Sequence, residues 1–162
     1  MLPYKIESME YCYQTYETIL GDLTLISDGK SIVTVHYGAG EPQGCYCDED
    51  QVLMETIFEI NQYLMGQRKT FDVPVDPMGN EKEKKLYRYL KDNVAYGKFA
   101  TYEGLAEALD MDPQDVEEML ETNSCPILIP CHRVIRANKK IGVYVGDISL
   151  KNDLLKLEHK YR

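Results

Sequence analysis

The chain has 162 residues, 44% of them hydrophobic and 28% charged, with a net charge of −9. That length suits one ordinary domain or two small ones with real cores, and no run reaches the roughly 18 apolar residues that a bilayer span needs. The acid excess argues against a broad, non-specific grip on nucleic acid, which depends on Lys and Arg neutralising phosphates, but leaves a local basic site open.

Residues 1–7 lack the apolar core of a signal peptide, so a cytoplasmic protein without membrane association is the expectation. Residues 16–27 alternate loosely as two short strands around a turn at Gly21-Asp22; Asp28-Gly29 marks a second turn, and residues 31–37 form a third strand. Residues 38–50 read as a loop rich in Gly and acid. Leu53, Ile57, Ile60 and Leu64 then recur at helical spacing over residues 51–64, and Gly66 closes that helix. Residues 71–75 are short and extended, and residues 78–81 read as a linker between domains 1–77 and 78–162.

Beyond the linker the chain turns helical. Residues 83–93 place Leu86, Tyr89 and Leu90 on one face. Thr101 caps a helix with Tyr102, Leu105, Ala106 and Leu109 on one side. Asp112 and Pro113 open a second helix, with Val116, Met119 and Leu120 as its buried stripe. By pattern alone these two helices fit a helix-turn-helix and a plain helical hairpin equally well. A final helix opens at Ser149 or Asp147, and Lys151 and Glu158, seven apart, fall near one face of it.

The five cysteines are Cys12, Cys45, Cys47, Cys125 and Cys131. An odd number without a secretion signal argues against a disulfide framework. Cys45-x-Cys47 lacks a second pair at zinc-ligand spacing, so no metal site is expected. Cys131 is different, because His132 follows it directly and the chain has only three His. Thiols react as thiolates, and a neighbouring imidazole makes one cheaper to form. The dipeptide alone leaves a buried structural Cys beside a surface His as an equal reading.

The wider pattern decides between them. Asn123, then Pro130-Cys131-His132-Arg133-Val134, then Gly142-x-Tyr144-x-Gly146, then Lys151-x-x-Leu154-Leu155-x-x-Glu158 resembles the methylated-DNA–protein-cysteine methyltransferases, the O6-alkylguanine-DNA alkyltransferases. Residues 96–106 carry the likeness too; it is dense from Tyr96 to Glu158 and thin before that. The resemblance implies an α/β plus α fold: a small ribonuclease-H-like α/β domain, then a helical domain with a helix-turn-helix and the reactive Cys.

The resemblance also implies a single-turnover transfer of an alkyl group from O6 of guanine, with O4 of thymine a further target, in double-stranded DNA to Cys131. The implied protein works as a monomer and needs no cofactor. Glu158 would orient His132, which would draw the thiol proton through a water. Tyr144 would donate at O6 with Lys151 nearby, and Asn123 would brace the turn that carries Cys131. The target nucleotide must leave the stack; Tyr102 matches the Tyr that pushes on the 3′ phosphate, and Arg133 and Arg136 are further DNA-contact candidates.

The chain departs from the pattern where an Arg should fill the gap left by the flipped base: Gln114 stands there. Asp110, Asp112, Asp115, Glu117, Glu118 and Glu121 make the surrounding segment acidic, and Lys139 and Val143 replace smaller residues. Alkyl transfer with weakened DNA affinity is the expectation. The alternatives are a protein that binds alkylated guanine without repairing it and a cysteine hydrolase, which would turn over and would need an oxyanion hole.

Overall fold

The computed structural model describes residues 11–162, so the reading of residues 1–7 lies outside the described part. The chain divides between Pro77 and Met78 into two compact units.

The first unit is a four-stranded sheet with one helix. Strands β1 (Cys12–Thr18), β2 (Gly21–Ser27), β3 (Ile32–Tyr37) and β4 (Tyr46–Cys47) lie in the order β3-β2-β1-β4. β2 is antiparallel to both neighbours, and the short β4 runs parallel to β1. The first turn falls at Ile19-Leu20, not at Gly21-Asp22. The Thr18 hydroxyl accepts the Leu20 N–H and donates to the Gly21 carbonyl, which leaves Gly21 free to pair with Thr18 in the ladder. β4 breaks what the sequence suggests is an uninterrupted loop.

Helix α1 (Gln51–Leu64) is capped by Asp50, whose side chain accepts from the Leu53 N–H. It lays Leu53, Ile60, Tyr63 and Leu64 on the sheet residues Leu23, Leu25, Val33 and Val35, all buried. Burying each such side chain contributes about 1.5–3 kcal/mol.

The second unit opens with α2 (Glu81–Asn93), two residues earlier than expected because Asn80 and Glu83 form a reciprocal capping box. Its buried face is Leu86, Tyr87 and Leu90. Tyr87, not Tyr89, points inward, and its hydroxyl donates to the Met119 carbonyl at 2.7 Å. After the two-residue strand β5 (Ala100–Thr101), α3 (Tyr102–Leu109) and α4 (Pro113–Glu121) are joined by a three-residue turn. Asp110 ends α3 in the left-handed region, and Asp112 caps α4.

A single 3₁₀ turn, Cys131–Arg133, leads into β6 (Val134–Ile135), which runs parallel to β5. That pairing sets the start of α3 beside the segment that follows Cys131. Helix α5 (Ile148–Tyr161), capped by Asp147, turns Lys151, Leu154 and Glu158 inward. Among the described residues no helix is long and apolar enough to cross a membrane.

Candidate active site

Cys131 sits on the 3₁₀ turn at the end of a tightly bonded loop. Asn123 is the brace: its Oδ1 accepts the Cys125 N–H at 3.0 Å, and its Nδ2 donates to the Ile129 carbonyl at 3.3 Å. The Cys131 N–H bonds back to the same Ile129 carbonyl at 2.7 Å. Within the loop Ile127 holds φ 74. A β-branched residue in that region costs about 1–3 kcal/mol and persists only where its surroundings fix it. Asn123 braces the loop and is not the C-cap of α4, which is Thr122.

Beneath the loop lies a buried cluster of charged and polar side chains. His132 Nε2 is 2.6 Å from Glu158 Oε2, and the two side chains are 0% and 2% exposed. Arg133 clamps the same carboxylate through Nε to Oε1 at 2.9 Å and Nη2 to Oε2 at 3.0 Å, and its Nη1 donates to the Val94 carbonyl. The Gly97 N–H adds a fourth donor, to Oε1 at 3.0 Å. Burial by itself would raise the Glu158 pKa; the hydrogen bonds and charges of His132 and Arg133 outweigh it and hold the carboxyl well below the usual carboxylate range. Glu158 is therefore ionised, Nε2 carries the imidazole proton, and a neutral His132 keeps its lone pair on Nδ1. Burial also lowers the His132 pKa against the pull of Glu158, which favours that neutral form.

Cys131 itself is 3% exposed. Burial pushes its pKa up to about 11, against the opposing pull of Asn123 and Lys151. The resting group is thus the thiol, because desolvation outweighs its neighbours.

Lys151 is buried as well, and its Nζ donates to the carbonyls of Val134 at 2.6 Å and Val143 at 2.8 Å. Burial lowers its pKa to about 8. The phenol beside Lys151 is that of Tyr102, with Nζ to Oη 3.4 Å; the same hydroxyl accepts the Val143 N–H at 3.0 Å. Gly142, at φ 81, lets its own backbone lie against the Tyr102 side chain, where any Cβ would collide with the hydroxyl. Tyr144 follows in that loop, half-buried.

Two of the DNA-contact candidates, Tyr102 and Arg133, are buried in the structure. Tyr102 is 2% exposed, and its hydroxyl meets Lys151 and Val143. Arg133 is buried and fully engaged with Glu158 and Val94. Gln114 is exposed on the first turn of α4, and Arg136 is part-exposed but paired with Glu117 at 3.0 Å. The spacing of charges gave no hint of the Glu117 pair. The Arg133 clamp does have a signal, since both partners lie inside the motif. Among the described residues no group of three or more His, Cys, Asp or Glu is placed to hold a metal.

Residues 81–160 match the family described as 6-O-methylguanine DNA methyltransferase, DNA binding domain, and residues 11–77 match its ribonuclease-like domain. The chain belongs to this family. A methylated-DNA–protein-cysteine methyltransferase of Metallosphaera sedula is 32% identical, over 90% of this chain and 92% of its own length. One from Methanosarcina acetivorans is 30% identical over 90% and 97%. Among solved structures, Mycobacterium tuberculosis OGT in complex with DNA superposes with TM-score 0.85 at 26% identity, covering 92% of this chain and 93% of that one. The M. tuberculosis O6-methylguanine methyltransferase gives 0.84 at 26% identity, covering 94% of both chains. Like those two-domain alkyltransferases, this methyltransferase joins a sheet domain to a helical one.

Proposed function

We propose that this methyltransferase repairs DNA by moving one alkyl group from O6 of guanine, or O4 of thymine, in a duplex to Cys131. Residues 78–162 carry the chemistry, and residues 1–77 form the ribonuclease-H-like companion domain. The observation that carries the reading is the buried, hydrogen-bonded chain Arg133–Glu158–His132, whose imidazole belongs to the residue that follows Cys131. Its protonation states suit alkyl transfer. The thiol can lose a proton, the neutral imidazole can take it by way of a water, and the carboxylate is held ionised to offset the imidazolium.

The sulfur attacks the alkyl carbon as the C–O6 bond breaks, and the electron pair leaves with guanine, which needs a proton. Tyr144 supplies that proton at O6. The loop that carries Tyr144 is fixed through Val143 to Tyr102 and Lys151, and the phenol regains its proton from solvent once guanine has left. A thioether is inert to hydrolysis, so each chain acts once, and one-to-one transfer needs no partner subunit. DNA enters against α3 and α4 with the target base rotated out, and Gln114 faces the space it leaves. Gln brings no charge and the flank of α4 is acidic, so the grip is weak.

Incubation with O6-benzylguanine followed by intact-mass measurement tests this. One benzyl group per chain on Cys131 is expected, and none on Cys131→Ser. A folded chain that gains no group defeats the proposal; product in excess of chains indicates a hydrolase instead.

A further inference from the structure

Arg136 follows β6 and, unlike the buried Arg133 and Lys151, reaches solvent: its side chain is 40% exposed. Its guanidinium lies over the Tyr102 ring, 5.6 Å from the centroid, and that ring's hydroxyl meets Lys151. Arg136 therefore stands at the solvent edge of the polar cluster that surrounds Cys131. It is not free, because its Nη2 donates to Glu117 Oε1 at 3.0 Å. Glu117 projects from the flank of α4, the second helix of the pair that the DNA reading sets against the duplex, and Glu103 on α3 adds to the negative field at the same guanidinium. Planar guanidinium pairs a carboxylate and a phosphate in the same forked geometry.

We propose that Glu117 is an internal stand-in for a DNA phosphate: it occupies Arg136, and the duplex must displace it to bind. This rests on the DNA reading above. A part-exposed pair is weak enough to exchange. In the exchange, the cation that Arg136 frees from DNA is offset by one gathered on the uncovered Glu117 carboxylate. The contact then contributes little affinity and little salt dependence. Glu117→Gln removes the offset, so Arg136 contributes a full phosphate contact.

The test is fluorescence anisotropy on an unmodified duplex across a salt series. E117Q should bind several-fold tighter than the wild type at low salt, with the slope of log K against log salt steeper by about 0.9. Equivalently, its advantage shrinks about 3–4-fold between roughly 50 and 200 mM salt. Glu118→Gln deletes the same charge one position along, on the exposed side of α4. It should raise affinity less and leave the slope unchanged. The double variant E117Q/R136Q should lose the gain, since contacting residues do not act additively.

If E117Q matches E118Q in affinity and slope, or keeps its gain without Arg136, the proposal is overturned. If no chain binds DNA while Cys131 still takes a benzyl group from the free base, the DNA reading and this proposal both fail and alkyl transfer stands. If no adduct forms either, the whole functional reading fails.

Discussion

Two carboxylates of the second unit, Glu158 and Glu117, both pair with an arginine near Cys131. Glu158 is 2% exposed, holds two nitrogens of Arg133 and the His132 ring, and takes a backbone N–H as well. Glu117 holds one nitrogen of Arg136, and its side chain is 26% exposed. Water screens the outer pair and leaves it exchangeable, whereas the inner pair has no substitute for its partners once broken. The buried pair can therefore hold a fixed geometry, while the exposed pair can change partners.

The sharpest way to break this contrast is Glu158→Gln. Removing one partner leaves the Arg133 guanidinium buried without its counter-charge, which costs about 3–5 kcal/mol. That is a large share of the roughly 5–15 kcal/mol that holds a domain together. The urea midpoint should fall accordingly, whereas E117Q should move it by less than about 1 kcal/mol. The pH dependence separates the two further. The folded-state pKa of Glu158 is depressed, so its contribution is complete above the unfolded value near 4.5 and is lost as pH falls from there toward the folded value. Wild-type stability should therefore drop steeply on acidification below about pH 4.5, and the E158Q curve should be flatter.

A second, smaller effect concerns thiols. Cys131 is buried with its pKa pushed up to about 11, while Cys47 is exposed on β4. An upward shift of two units from 9.0 removes about a hundred-fold of thiolate at neutral pH. Iodoacetamide on the native protein should label Cys47 well before Cys131, while O6-benzylguanine labels Cys131 alone. Rapid iodoacetamide labelling of Cys131 would show that the sulfur is ionised at rest after all.

Local patterns were legible in the chain, and long-range partnerships were not. The stripes of α3 and α4 and the Thr101 and Asp112 caps follow from period and cap chemistry, which need only a few neighbouring residues, whereas for α5 the sequence leaves Ser149 and Asp147 open and the structure has Asp147. Tyr87 and Tyr89 both border the α2 face by period; only the Met119 carbonyl, 32 residues on, decides which turns inward. Tyr102 is drawn in by a loop 41 residues away, and Arg133 by a carboxylate 25 residues away. A family pattern marks these as special positions but does not say which way their side chains point. For Asn123, Lys151 and Glu158 the motif spacing marks the positions, and the structure has all three buried, with side-chain bonds to Ile129, Val134 and His132.

The smallest expected effect lies at the edge of the outer region. Lys139 stands where the family pattern has Gly, and its φ is 68, with its N–H bonded to the Arg136 carbonyl. An L side chain in that conformation costs about 1–2 kcal/mol relative to Gly. Gly gives back about 0.4–1 kcal/mol through the greater freedom of the unfolded chain. Lys139→Gly should therefore stabilise the protein by about 0.5 kcal/mol, a rise of roughly 1–2 °C in Tm for a chain of this size. The same change removes an exposed cation three residues from Arg136, so DNA affinity should fall modestly and the salt slope should become shallower by up to about 0.9. Such a trade would mean that this methyltransferase keeps a strained lysine for the sake of its charge, as compensation for the acidic flank of α4. If Lys139→Gly leaves DNA binding untouched while raising Tm, the lysine is merely tolerated, and the duplex contacts lie with Arg136 and the residues around it.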